Sequence, residues 1–265
     1  MTTASQSWTE EMVDVAGSQL QVFKGGTGDP LLIIHDEMGH PGWLRYHQEL
    51  AKDRTLVIPM LPGFGESTEL DWMMSMHDLA NWFLGALDDL KLENVDVMGF
   101  SLGGWLAAEM AVMDPGKFSE LILVGPMGVK PEKGEFYDLF LNLAPDFLEE
   151  SFLNPKSVEE YSLIRPDEPS PEQEELWEVG REQSARLAWK PYMYNQTLPY
   201  LLRRLKGLQT LIISGKQDAI VPADSFRIYN ESIPGSILSL IDQSGHRPEI
   251  EKTEDFLKVV KKFLD

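Results

Sequence analysis

The chain has 265 residues and no cysteine, which leaves disulfides and thiolate chemistry out of reach. Hydrophobic residues at 43% and charged residues at 25% are ordinary for a globular protein of one large domain. A formal charge of -20 argues against nucleic acid and against anionic membrane surfaces as partners. The start, "MTTASQSWTEEM", has no basic region followed by an apolar run, and the expected location is cytoplasmic.

In chain order, Met12–Val15 and Leu20–Phe23 predict a short hairpin around "AGSQ". "PLLIIH" (30–35) and "TLVIPML" (55–61) are β-rich runs without alternation, as in strands buried on both faces. "NVDVMGF" (94–100), "SELILVG" (119–125), "LQTLIISG" (208–215) and "GSILSLID" (235–242) add four more. Helical patterns fall between them at about 42–52, 76–91, 102–113, 223–232 and 252–264. That alternation predicts a parallel sheet with helices on both faces.

The alternation breaks after Pro126. From there to Pro199 no strand-like run occurs, only amphipathic pieces such as "FYDLFLNL" and "EELWEVGREQSARLAW", punctuated by prolines. The expected division is a core of residues 1–126 and 199–265, with 127–198 as a helical insertion serving as a lid. The acidic stretches "EFYDLFLNLAPDFLEESF" and "PDEPSPEQEELWE" read as solvated faces.

One junction carries chemistry. In "VDVMGFSLGGWLAAEM", Gly99, Gly103 and Gly104 surround Ser101 between a buried strand and a helix. Gly-x-Ser-x-Gly in that setting is a nucleophile elbow: the glycines remove side chains that would collide, and the serine is held in a strained turn above the sheet edge. The backbone N–H of Leu102, at the positive end of the helix, can then face an oxyanion. A serine needs a base and a group to orient it. Among five histidines, only His246 stands in a loop directly after a predicted strand, and Asp218 occupies the equivalent loop before it, in "SGKQDAIVP". The order Ser101, Asp218, His246 is that of a hydrolytic triad on such a sheet. "HDEMGH" nearly spells a zinc motif, but His35 and His40 are five apart and Gly39 discourages the helix, so no metal is expected.

With these residues in place, the sequence resembles the α/β-hydrolase family along the core on both sides of the insertion. "LLIIHDEMG" is similar to that family's oxyanion loop, "LPGFGES" to its glycine turn, "GFSLGG" to its elbow, and "SGHRPEIEKTEDF" to its histidine loop and last helix. The capped layout looks most like the esterase and carbon–carbon bond hydrolase branch. The resemblance implies an α/β fold with a mostly parallel eight-stranded sheet, flanked by helices and carrying a helical lid. It implies catalysis by Ser101, Asp218 and His246, oxyanion donors at the backbone N–H groups of Leu102 and Glu37, and no cofactor. The expected substrate is a small or medium carboxylic ester or related acyl compound. A carbon–carbon bond hydrolase, or a slow-turnover receptor that keeps the triad, is the alternative. The aromatic tail of the insertion suggests Trp189, Tyr192 and Met193, with Phe100 beside the elbow, as substrate-binding residues, and the Glu37 side chain should point away from the oxyanion. Two departures stand out: Asp36 where the family has glycine, and Met60 where it has aspartate. Asp36 is expected to supply the anchoring bond lost at position 60. Arg247 also replaces the aromatic that the carbon–carbon hydrolases carry after the histidine.

Overall fold

The computed structural model describes residues 8–265, so the first seven residues of the N-terminal stretch lie outside it. Eight strands form one sheet in the order β1 (Trp8–Val15), β2 (Ser18–Gly26), β4 (Thr55–Pro59), β3 (Pro30–Ile34), β5 (Val95–Phe100), β6 (Phe118–Val124), β7 (Gln209–Gly215), β8 (Ile237–Ile241). β1 and β2 pair antiparallel, β2 is antiparallel to β4, and every later pairing is parallel. The hairpin is longer than the apolar runs suggested, because its outer residues are exposed and carry no hydrophobic signal. Among the described residues no helix is long and apolar enough to cross a membrane.

The central strands are apolar throughout because each is covered twice. Successive residues go to opposite faces. Leu32, Ile34 and Val97 join the cluster under α2 (Met76–Asp89), α3 (Leu102–Met113) and α8 (Ala223–Ser232). Leu31, Ile33 and Met98 join the cluster under α1 (Arg45–Leu50) and α10 (Thr253–Leu264). A short turn, α9 (Pro248–Glu251), precedes α10, which covers the last helix expected at about 252–264. Between β6 and β7 the chain is helical, with α4 (Ala144–Glu150), α5 (Tyr161–Ile164), α6 (Pro171–Ala188) and α7 (Leu198–Leu201). The two ends of this excursion are tied by backbone bonds, Gly128 N–H to Met193 O at 3.0 Å and Asn195 N–H to Gly128 O at 2.9 Å.

Helix α3 leaves β5 with one residue between them and is buried from Leu102 to Val112. Its glycines explain how it fits. A Cβ on Gly103 would lie 2.3 Å from His35 O and 2.5 Å from Ile34 O, and one on Gly99 would lie 2.3 Å from Gly103 O. These neighbours are backbone atoms of the sheet and helix, which have no torsion free to yield. Gly103→Ala should therefore cost about 3 kcal/mol or more, a fall in Tm of roughly 5–10 °C for a chain of this size. Gly85→Ala, at an exposed position of α2 where a Cβ meets nothing within 4 Å, should instead raise Tm slightly, by the helix-propensity gain of about 0.5–1 kcal/mol. Thermal melts of both variants check the contrast.

Candidate active site

Four loops at the carboxyl edge of the sheet converge: those after β3, β5, β7 and β8. Ser101 terminates β5 with φ +49° and ψ −110°, a region that side chains other than glycine rarely adopt. It is pinned there because its N–H donates to Val124 O at 2.8 Å and its carbonyl accepts from Trp105 N and Met127 N. The side chain is 2% exposed, and its Oγ makes no hydrogen bond.

The loop after β7 brings Asp218, and the loop after β8 brings His246, whose Nδ1 lies 2.8 Å from Asp218 Oδ2. The carboxylate is fully engaged. Oδ1 accepts from the N–H groups of Ile220 and Val221, each at 2.9 Å, and Oδ2 also accepts from Ser214 Oγ at 3.0 Å. Such a carboxylate cannot turn, so it holds the imbalance of charge toward Nδ1. Burial alone would pull His246 down. The charge and hydrogen bond of Asp218, helped by Glu37, outweigh it and lift the imidazole above its ordinary value.

The His246 loop is held from the insertion. Ser151, just after α4, accepts from His246 N at 2.8 Å through its carbonyl and from Arg247 Nε at 3.0 Å through its Oγ. Arg247, only 3% exposed, forms a 2.7 Å ion pair with Asp36 Oδ2, while Asp36 Oδ1 accepts from Met38 N at 2.8 Å. The two departures at positions 36 and 247 are thus partners of each other. Asp36 does not anchor the turn at Met60, whose N–H donates to Gln21 O and whose carbonyl accepts from Ser67 Oγ. That expectation is corrected: an aspartate in the loop after β3 reaches across to the β8 loop, because the buried guanidinium there needs a counter-charge.

His35 is engaged at both ring nitrogens. Nε2 accepts from Leu61 N at 3.0 Å, which puts the proton on Nδ1 for donation to Asp36 O at 2.7 Å. Burial lowers its pKa, in keeping with this neutral tautomer. It is a brace for the loop, with no lone pair left for a metal.

Glu37 departs most from expectation. Its side chain does not point away. It is fully buried, with Oε2 3.4 Å from Leu102 N and Oε1 without a partner. The Ser101 hydroxyl lies close enough to favour the ionised carboxyl, without the geometry of a hydrogen bond. Burial first, then the charge of Asp36, raise the Glu37 pKa against the opposing pull of His246 and Arg247. An ionised carboxylate about 4 Å from a developing oxyanion would cost about 4 kcal/mol at an effective dielectric of 20. That is as much as one oxyanion donor supplies, about 2.7–4 kcal/mol.

The remaining expected residues lie elsewhere. Trp189, at the end of α6, is 58% exposed and packs on Phe140 and Tyr192 from outside. Met193 is wholly buried in the core with φ +58°, in the strained turn that ends the insertion. Tyr192 bridges the insertion to itself, accepting from Leu139 N at 3.0 Å and donating to Tyr137 O at 3.1 Å. Phe100 faces the opposite side of the sheet, against Tyr46 and Phe256. None of the four lines the neighbouring cavity, and neither do Ser101, Glu37 or His246, which it borders only through Asp36 and Arg247. That cavity, about 250 Å³, is walled by Phe64, Leu163, Ile164, Leu176 and Trp177, with Asp36 and Arg247 at its polar end. The acidic side chains Glu172, Glu174 and Glu175 are exposed, and only Gln173 of that stretch lines the cavity. Sequence reasoning missed Ser151 altogether, and it named Arg247 and the Glu37 carboxyl without their places in the site. The charged residue where the resemblance leads one to expect an aromatic was the available signal for Arg247.

The chain belongs to the alpha/beta hydrolase family, whose model matches residues 31–259. It is similar to the 2-hydroxymuconate semialdehyde hydrolase of a Pseudomonas species, 27% identical over 94% of this chain and 91% of that one. In structure it is similar to the 2-hydroxy-6-oxo-6-phenylhexa-2,4-dienoate hydrolase of a Rhodococcus species, with TM-score 0.79, 19% identity and coverage of 97% and 98%. It is likewise similar to the naproxen esterase of Bacillus subtilis, with TM-score 0.77, 18% identity and coverage of 97% and 92%.

Glu249 supplies a test of the buried charges. It is 4% exposed with Oε2 unpartnered, and burial, only partly opposed by Arg247, pushes its pKa from 4.5 up to about 7. The folded protein thus holds a proton that the unfolded chain releases earlier, and stability falls as pH rises from 4.5 to about 7. The loss above that range is on the order of 3 kcal/mol. Glu249→Gln should raise Tm by several degrees at pH 8 and hardly at pH 4.5. An equal change at both would show a packing effect.

Proposed function

We propose that the chain is a serine hydrolase that cleaves a small or medium, uncharged carboxylic ester through an acyl-enzyme on Ser101. The observation that carries this reading is the 2.8 Å Nδ1–Oδ2 bond between His246 and a fully immobilised Asp218, at the sheet edge where the strained Ser101 stands. With Nδ1–H committed to Asp218, Nε2 carries the free lone pair and serves as base. The Ser101 oxygen bonds to the carbonyl carbon as its proton passes to Nε2. The carbonyl electron pair moves onto oxygen, where the N–H groups of Leu102 and Glu37 donate to it. Collapse breaks the bond to the leaving alkoxide, which takes the proton from Nε2. Water repeats the sequence on the acyl-enzyme.

The acyl group is assigned to the cavity walled by Phe64, Ile164 and Trp177, beneath the insertion acting as a cap. Trp177 thereby takes the place that Trp189 held in the sequence reading. Four buried carboxyl groups, Asp36, Glu37, Asp218 and Glu249, face one guanidinium and one imidazole, a surplus that favours a substrate without negative charge.

A second reading, hydrolysis of a carbon–carbon bond beside a ketone, is favoured by the muconate semialdehyde hydrolase relative. The same serine and histidine would serve it. Steady-state turnover of short-chain p-nitrophenyl esters and of a vinylogous diketone decides between the two, and absence of either turnover would favour a receptor.

Ser101→Ala should abolish turnover and fluorophosphonate labelling with Tm unchanged, and retention of a tenth of the activity would refute the assignment. Asp218→Asn should lower kcat by up to about 10⁴. Because only neutral His246 accepts the proton, rate should rise with pH through a midpoint above the ordinary 6.5, in the direction that Asp218 shifts it. A flat profile between about pH 5 and 8 would exclude histidine as base.

A further inference from the structure

The Glu37 carboxyl has no role in the reaction as written, yet it cannot leave the site. Its carbonyl accepts from Ser184 Oγ of α6 at 3.2 Å, and Gly180 of the same helix is packed so tightly that a Cβ there would lie 2.9 Å from that carbonyl. On the other side the loop is braced by His35 and by the Asp36–Met38 bond. The backbone is therefore held from both sides, and only side-chain torsions remain free. Oε1 is buried without any partner. A buried polar oxygen in that condition points to a ligand that supplies one.

The groups that face Glu37 come from every element around it. Asp36 of its own loop repels an ionised Glu37. His246 and Arg247 of the loop after β8 attract it, with Glu249 of α9 behind Arg247. Asp218 acts through His246, the elbow offers the Ser101 hydroxyl, and the insertion offers the Tyr192 phenol and the uncharged Ser184 and Gly180. His35 is neutral. Two arrangements then hold the same single proton: an imidazolium beside a carboxylate, or a neutral imidazole beside a carboxylic acid. Only the second has a free base at Nε2 and no anion where the oxyanion forms.

We propose that Glu37 is a catalytic residue that works as a carboxylic acid, its O–H donating a hydrogen bond to the substrate carbonyl oxygen alongside the Leu102 and Glu37 N–H groups. This rests on the Ser101 reading above. In the step itself the Oγ–C bond forms, the serine proton goes to His246 Nε2, and the carbonyl pair goes to oxygen, where the Glu37 O–H, swung off Leu102 N, meets it. On collapse the leaving alkoxide takes the proton from Nε2, and Glu37 ends as it began, protonated. Above the titration of Glu37 the acid becomes a carboxylate beside the oxyanion, and the rate falls. The wild-type profile is then a bell, with His246 on the acid side and Glu37 on the alkaline side.

The test uses full-length wild type, Glu37→Gln and Glu37→Ala, with a short-chain p-nitrophenyl ester from about pH 5 to 9.5. Glu37→Gln keeps a neutral donor of the same shape. Its alkaline limb should vanish, and its acid limb should stay close to that of wild type, because Glu37 is already an uncharged acid over the range where His246 titrates. Glu37→Ala should lose about 10²–10³ in kcat with KM little changed. Two results would overturn the proposal: an alkaline limb that persists in Glu37→Gln, or a Glu37→Ala enzyme as fast as wild type, which would make the carboxyl a plug. Wild type alone gives an independent reading, since its fluorophosphonate labelling rate must also fall on the alkaline side, and a rate that only rises would refute the acid role. Labelling that is absent altogether, or that survives Ser101→Ala, would refute the serine reading instead.

Discussion

A guanidinium does not give up its proton, so burying Arg247 forces the chemistry of everything near it. At 3% exposure it demands a counter-charge, and Asp36 supplies it at 2.7 Å from the loop after β3. Removing one partner of such a pair leaves an uncompensated buried charge, a loss of about 3–5 kcal/mol. The pair therefore locks the loop carrying the proposed oxyanion donor Glu37 to the loop carrying His246. It also uses up the one buried positive charge that cannot be neutralised. Glu37 and Glu249 are left with only a share of it, and both are pushed toward the protonated form. Burial and the neighbouring anion thus work in the same direction on Glu37, against the pull of His246 and Arg247.

The insertion belongs to this arrangement and is not merely laid over it. Ser151 after α4 holds the backbone of His246 and the side chain of Arg247. Ser184 and Gly180 of α6 close on the carbonyl of Glu37. One part of the insertion therefore fixes the loop of His246, and another fixes the loop of Glu37. A swing of the whole segment away from the sheet would break these bonds together, whereas α5 and the start of α6 carry none of them. There Leu163 and Leu176 are exposed at the mouth of the cavity.

The eight strands and the placement of Ser101, Asp218 and His246 were legible because each has a local signature. An apolar run without alternation marks a doubly covered strand, and glycines at fixed offsets mark the elbow. The hairpin edges were less legible, since the exposed residues Thr9 to Glu11 carry no pattern. The Asp36–Arg247 pair could not be read because its partners sit at opposite ends of the chain and meet only through the sheet order. The orientation of Glu37 was misjudged on a sound premise, that a carboxylate near an oxyanion is unfavourable. Burial answers that premise by favouring the acid instead of turning the side chain outward. In the insertion, helical spacing identified apolar residues but not which of them face the cavity. Trp177 lies mid-helix and faces in, whereas Trp189 sits at the helix end, where the chain turns outward.

The proposed acid at Glu37 does not itself choose between ester and carbon–carbon chemistry. Both reactions put negative charge on a carbonyl oxygen after serine attack, and both would gain from a neutral donor there. They differ in the group that departs. An alkoxide can take its proton directly from His246, and it carries no further charge into the site. A dienoate of the kind named for the dienoate hydrolase brings a carboxylate of its own, which must rest against a cation. Near Ser101 the fixed cation is Arg247, already paired with Asp36 and approached by Glu37 and Glu249. A substrate carboxylate would have to displace one of those partners and leave a second anion buried beside the first. An uncharged acyl group resting on Phe64, Ile164 and Trp177 would meet no such conflict, and that absence of conflict is the electrostatic support for the proposed ester reading.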